Sequence, residues 1–72
     1  MKLNYDTETD SLYIDLADRP AADSAEVRDG VVLDFDEAGA LVGIDVQHAS
    51  KQMDLSSLEV NALPVAASKL SA

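Results

Sequence analysis

Apolar residues in the first two-thirds of the chain recur at every second position, the period of a strand with one buried face. In Lys2-Leu3-Asn4-Tyr5-Asp6, Leu3 and Tyr5 share a face. Ser11 to Leu16 repeats the pattern, with Leu12, Ile14 and Leu16 inward and Tyr13 and Asp15 outward. The intervening Thr7-Glu8-Thr9-Asp10 is short and polar, as a hairpin turn requires. Ala17 to Ala25 carries Asp18, Arg19, Pro20 and Asp23 and reads as a loop. Strand character resumes at Glu26-Val27-Arg28 and meets Asp29-Gly30. That dipeptide suits a two-residue type I′ hairpin, or else marks a bulge inside one long strand. In Val31 to Asp36, Val31, Leu33 and Phe35 oppose Asp34 and Asp36. Glu37-Ala38-Gly39 then forms a three-residue turn with Gly in the left-handed position. Leu41 to Val46 is the last strand, its inward residues being Val42, Ile44 and Val46. The pattern predicts an α+β, mostly β fold: an antiparallel β-meander of four to five strands over residues 1–46, followed by one or two short C-terminal helices.

Residues 47–72 lack the alternation and are expected to be a short helical tail, packing on the sheet or on a neighbouring subunit within a single domain. His48 to Met53 suits one helical turn leaving the sheet. Asp54 can cap a helix over Leu55 to Ala62, and Ser56-x-x-Glu59 has capping-box spacing. Pro64 should end or kink that helix, and Val65 to Leu70 form a second short helix or stay frayed. Leu55, Leu58, Val60 and Leu63 form no single stripe, so part of the tail is expected to meet another subunit.

Charge divides the chain at the same place. Residues 1–46 hold three basic and twelve acidic groups, whereas Lys51 and Lys69 balance Asp54 and Glu59 in the remainder. The net charge of −9 gives no footprint for nucleic acid backbones and is repelled by anionic membranes. Cations, basic proteins or further copies of the chain are the partners it allows. At 47% hydrophobic the chain is too apolar for a disordered acidic tail. It has no cysteine, which removes disulfides, thiolate zinc sites and thiol catalysis. No apolar run approaches a bilayer's thickness and the first residues lack a signal peptide's apolar core, so a cytoplasmic protein is expected. Compaction of 72 residues takes the exposed area from roughly 11,000 to roughly 4,300 Å². For so small a core burial barely offsets the ordering entropy, and self-association to a homodimer or higher oligomer is the expected remedy.

Four groupings carry candidate chemistry. Asp6-x-Glu8-x-Asp10 echoes the start of an EF-hand loop, but Ser11 stands where Gly is needed and Ala17 where a bidentate Glu is needed. Asp34 and Asp36 should share a strand face about 7 Å apart, with Glu37 beside them, compatible with one hard cation or an acid/base pair. A chain this short offers little cleft for a substrate, and charge that resists edge pairing is the simpler role. His48, the single histidine, has no evident nucleophile to serve and reads as a surface or helix-start residue. Tyr5 is expected to fill core with its hydroxyl at the rim, and Tyr13, outward among carboxylates, to be a contact residue.

The string Tyr5-Asp6-x-Glu8-x-Asp10-x-Leu12-Tyr13-Ile14-x-Leu16 resembles the opening of the bacterial domain-of-unknown-function family 2283. Glu26-Val27-x-Asp29-Gly30-Val31-Val32-Leu33-Asp34-Phe35-Asp36-x-x-Gly39-x-Leu41-Val42-Gly43-Ile44-Asp45 resembles its central stretch, and Ala49-Ser50-Lys51 its close. The resemblance covers residues 4–51 and implies a small mostly-β domain followed by a short helix. No activity is attached to it. It further suggests an antitoxin-like pairing with a small basic protein.

The reading that results is a small acidic protein-interaction module that is not an enzyme and carries no catalytic residues, no cofactor and no metal site. Its expected contact residues are Tyr13, Asp15, Asp34 and Asp36, and its partners a second copy of itself and a small basic protein, with no nucleic acid or membrane bound directly. The alternative is a carboxylate site for a divalent cation with a structural or enzymatic role.

Overall fold

The period-two segments form five strands of one sheet in a computed structural model that describes residues 1–65. These are β1 (Lys2–Asp6), β2 (Ser11–Asp15), β3 (Asp23–Arg28), β4 (Val31–Phe35) and β5 (Leu41–Val46), followed by the single-turn helix α1 (Ala49–Gln52). Every pairing is antiparallel, but the spatial order is β1-β2-β5-β4-β3. The sheet thus departs from a simple meander, because the last strand enters between β2 and β4. The sequence of β5 suits that position, since Val42, Gly43 and Val46 are all buried. The connection from β2 to β3 therefore crosses to the far edge. It is tied at both ends, by Leu16 N–H to the Val42 carbonyl (2.9 Å) and Ala22 N–H to the Phe35 carbonyl (2.8 Å).

Register fixes what each face carries. Leu12, Ile14, Leu33 and Val31 oppose Val46, Ile44, Ile44 and Val46 across β5, and Leu3 and Tyr5 oppose Ile14 and Leu12 across the β1–β2 pair. These residues make one apolar face. On the other face Tyr13 and Val32 oppose Asp45, Asp15 and Asp34 oppose Gly43, and Ser24 and Glu26 oppose Asp34 and Val32. Asp23 to Ala25, expected as loop, belong to β3; pairing with β4 overrides their weak strand propensity.

Asp29-Gly30 does close a β3–β4 hairpin, and a bulge at Val27 accompanies it, so both readings of that dipeptide are realised. Gly30 has φ +80°, whereas Asp29 is not left-handed, so the turn is not type I′. The bulge adds the local twist that such a turn does not supply. A second irregularity lies between β4 and β5, where Val42 is the extra residue.

After β5 the tail differs from expectation. His48 is the N-cap of α1 in the left-handed region (φ 52°), the helix-start position expected of it. No helix forms over Leu55 to Ala62. Asp54 instead accepts the Ser56 N–H (2.9 Å) and its hydroxyl, a local turn that competes with helix. The second helix expected over Val65 to Leu70 falls largely outside the described residues. None of residues 53–65 is buried, and Leu58, Val60 and Val65 are more than half exposed. Residues 53–65 therefore do not seal the apolar face. Among the described residues the fully buried apolar side chains are Val42, Val46 and Ala49. Tyr5, expected as core filling, is half exposed for the same reason.

Candidate functional site

The polar face is organised by Tyr13. Its backbone lies opposite Asp45, but its ring reaches across β5, and its hydroxyl donates to Asp34 Oδ2 on β4 at 2.9 Å. The ring can take this path because Gly43 has no side chain: a Cβ there would run into the Tyr13 hydroxyl and ring. Ser24 Oγ donates to the other oxygen of Asp34 at 2.6 Å. A chain of contacts thus runs from β3 through β4 and over β5 to β2. Donating to a carboxylate makes the Tyr13 proton harder to lose, and its pKa is raised, first by the Asp34 hydrogen bond, then by burial and by the charges of Asp34, Asp15 and Asp45.

Around this line lie Asp6, Asp15, Glu26 and Asp45, at strand positions whose alternation places them on the same face. Lys2 is the cation on that face of β1. The surface is carboxylate-rich. Among the described residues no three Asp, Glu or His side chains converge closely enough to hold a metal ion.

The four expected contact residues do not form one cluster. Tyr13, Asp15 and Asp34 lie on the polar face. Asp36 stands one residue beyond β4, where its Oδ1 accepts the N–H groups of Ala38 (3.0 Å) and Ala40 (2.8 Å) and its Oδ2 pairs with Arg19 Nε (2.8 Å). It organises the three-residue turn to β5, in which Gly39 has φ +87°. Those bonds, the Ala40 N–H foremost, lower its pKa. Asp36 is therefore not paired with Asp34 as a two-carboxylate site.

Asp10 has a similar tethering role at the opposite end of the sheet. At φ 55° it accepts the Tyr5 hydroxyl (2.7 Å), the Ser50 hydroxyl (2.6 Å) and the Ser50 N–H, while its carbonyl accepts the Ala49 N–H. Its pKa is lowered, chiefly by the Ser50 hydroxyl and then by Tyr5. The same bond raises the Tyr5 pKa. Asp6 accepts the Glu8 N–H (2.9 Å), so this group builds a turn rather than a calcium loop. His48 borders a shallow, open depression with Arg28, Asp29, Lys51 and Gln52.

Sequence reasoning missed Ser24, Glu26, Asp45 and Gly43. A glycine inside an alternating strand, in a chain with an outward tyrosine on another strand, was the available signal for the ring-over-glycine contact.

An antiparallel sheet with one acidic face, forming a single layer among the described residues, defines a class of small β domains. Residues 2–50 match the family described as "Protein of unknown function (DUF2283)", and the chain belongs to that family. No curated protein and no solved structure matches it. No helix among the described residues is long and apolar enough to cross a membrane.

Proposed function

We propose that this protein is a non-catalytic interaction module whose acidic sheet face receives a small basic protein, an antitoxin-like arrangement. The observation that carries the reading is the segregation of charge. Asp6, Asp15, Glu26, Asp34 and Asp45 share one face of the sheet, while the strand positions of the other face are mainly apolar. A concentrated field of one sign steers and selects an oppositely charged partner. Tyr13 supplies an aromatic body at the middle of that face, held in one orientation by Asp34. Asp36 is left out of the contact because the turn and Arg19 occupy its carboxylate.

The test compares the tagged protein with an Asp15→Asn/Asp34→Asn/Asp45→Asn variant in capture from host lysate, at about 0.05 M and about 0.5 M salt. The expected result is a stoichiometric basic protein held by the unaltered chain at low salt, released at high salt and lost in the variant. A partner indifferent to both changes, or no basic partner at all, would refute the proposal.

A further inference from the structure

We infer that the apolar face of the sheet is closed by the same face of a second copy, giving a face-to-face homodimer with both acidic faces outward. Ile44 is the decisive residue. It sits on the central strand, opposite Ile14 on one side and Leu33 on the other, yet all three are only half-buried. In the middle of a five-stranded sheet that residual exposure marks a face that the described residues do not cover completely. Stable domains bury a sheet's apolar face against another layer. Among the described residues the candidate for that layer is α1, a single turn tied to one end of the sheet by Asp10 and by Gln52 to the Gly30 carbonyl.

Areas support a second copy as the missing layer. The chain exposes 5811 Å². A compact protein of its mass exposes roughly 4,300 Å². The excess, roughly 1,500 Å² per chain, is larger than the roughly 800 Å² each partner contributes to a standard interface, so it accommodates an uncovered sheet face as well as the exposed residues 53–65. The radius of gyration, 13.1 Å, likewise exceeds the roughly 11 Å of a compact chain this long.

The distribution of charge leaves this face free for a copy. Two chains of −9 repel, but the apolar face carries Leu3, Tyr5, Leu12, Ile14, Val31, Leu33 and Ile44 at its strand positions, and charge enters it only along the β3 edge, as Asp23 and Arg28 of opposite sign. Pairing through this face desolvates almost no charge and holds the acidic faces a sheet-to-sheet spacing or more apart. Pairing through the edges is less suited, since β3 carries Asp23, Glu26, Arg28 and a bulge.

The test measures molar mass by sedimentation and light scattering, and melting temperature against concentration. The unaltered chain should be a dimer whose melting temperature rises with concentration. Leu33→Glu and Val32→Glu alter neighbouring residues on opposite faces, and only Leu33→Glu should abolish the dimer. Because Leu33→Glu could unfold the chain, Leu3→Glu serves as a second probe at an edge position already 48% exposed. It should weaken the dimer at least about tenfold. A monomer at all concentrations, or a dimer untouched by Leu3→Glu and lost with Val32→Glu, would overturn the inference. Neither outcome depends on whether the acidic face finds a basic partner.

Discussion

Gly43 and Tyr13 act as one unit, and substitution at either reads out the other. Gly43→Ala should expel the ring from β5, break the Tyr13–Asp34 bond and cost about 1–2 kcal/mol, that of one part-buried hydrogen bond and its packing. Tyr13→Phe keeps the ring and should cost less. Chemical denaturation of the two variants orders them. Asp10 is the corresponding residue at the helix end. Its pKa is lower folded than its ordinary 3.8, so the stability it adds is present above that value and is lost as pH falls through the lower, folded value. Asp36 adds in the same direction. Asp10→Asn should therefore lower the melting temperature at neutral pH, and lose less on acidification than the unaltered chain does. Thermal melts between about pH 6 and pH 2 give the comparison.

At the scale of elements, the strands were legible because alternation depends on burial of one face, and β1, β2, β4 and β5 appear within a residue of where it placed them. Their spatial order was not legible, since nothing local tells β5 to enter between β2 and β4. The start of β3 was hidden because Asp23-Ser24-Ala25 has turn composition and becomes strand only through β4. The tail misled for the opposite reason: Asp54 and Ser56 are good capping residues, but with no apolar stripe to bury, a helix there gains nothing from packing. Of the candidate site, the outward direction of Tyr13, Asp15 and Asp34 followed from the period. The withdrawal of Asp36 into its turn did not, because an Asx-type bond depends on where the strand ends. The β3–β4 turn gives a direct test of element geometry. Gly30 has φ +80°, and a Cβ there would come within 2.8 Å of the Gln52 side-chain nitrogen. Gly30→Ala should destabilise by more than about 1 kcal/mol and loosen α1, seen as faster amide exchange at Lys51 and Met53.

On the scale of the whole molecule, electrostatic self-repulsion competes with a small core. The described chain is about 31 Å in its longer dimensions. At about 0.01 M salt the screening length is roughly 30 Å and every carboxylate feels the rest; at about 0.1 M it is roughly 10 Å and only near neighbours do. The melting temperature should therefore climb between those concentrations, with most of the gain complete by physiological salt. A flat or falling profile would mean that the acidic groups are already neutralised by something bound.

The two tyrosines have a practical consequence. The chain contains no tryptophan, so its near-ultraviolet signal comes from Tyr5 and Tyr13 with a minor share from Phe35. Alternation places Tyr5 with the apolar face and Tyr13 with the acidic one, and each hydroxyl is held by a different carboxylate. Both pKa values are raised above 10.0, so folding opposes ionisation, and the stability this contributes is lost as pH rises through the folded values. The molecule thus carries one chromophore per face. With Tyr5→Phe and Tyr13→Phe to separate them, occupation of either surface becomes an optical measurement that needs no attached label.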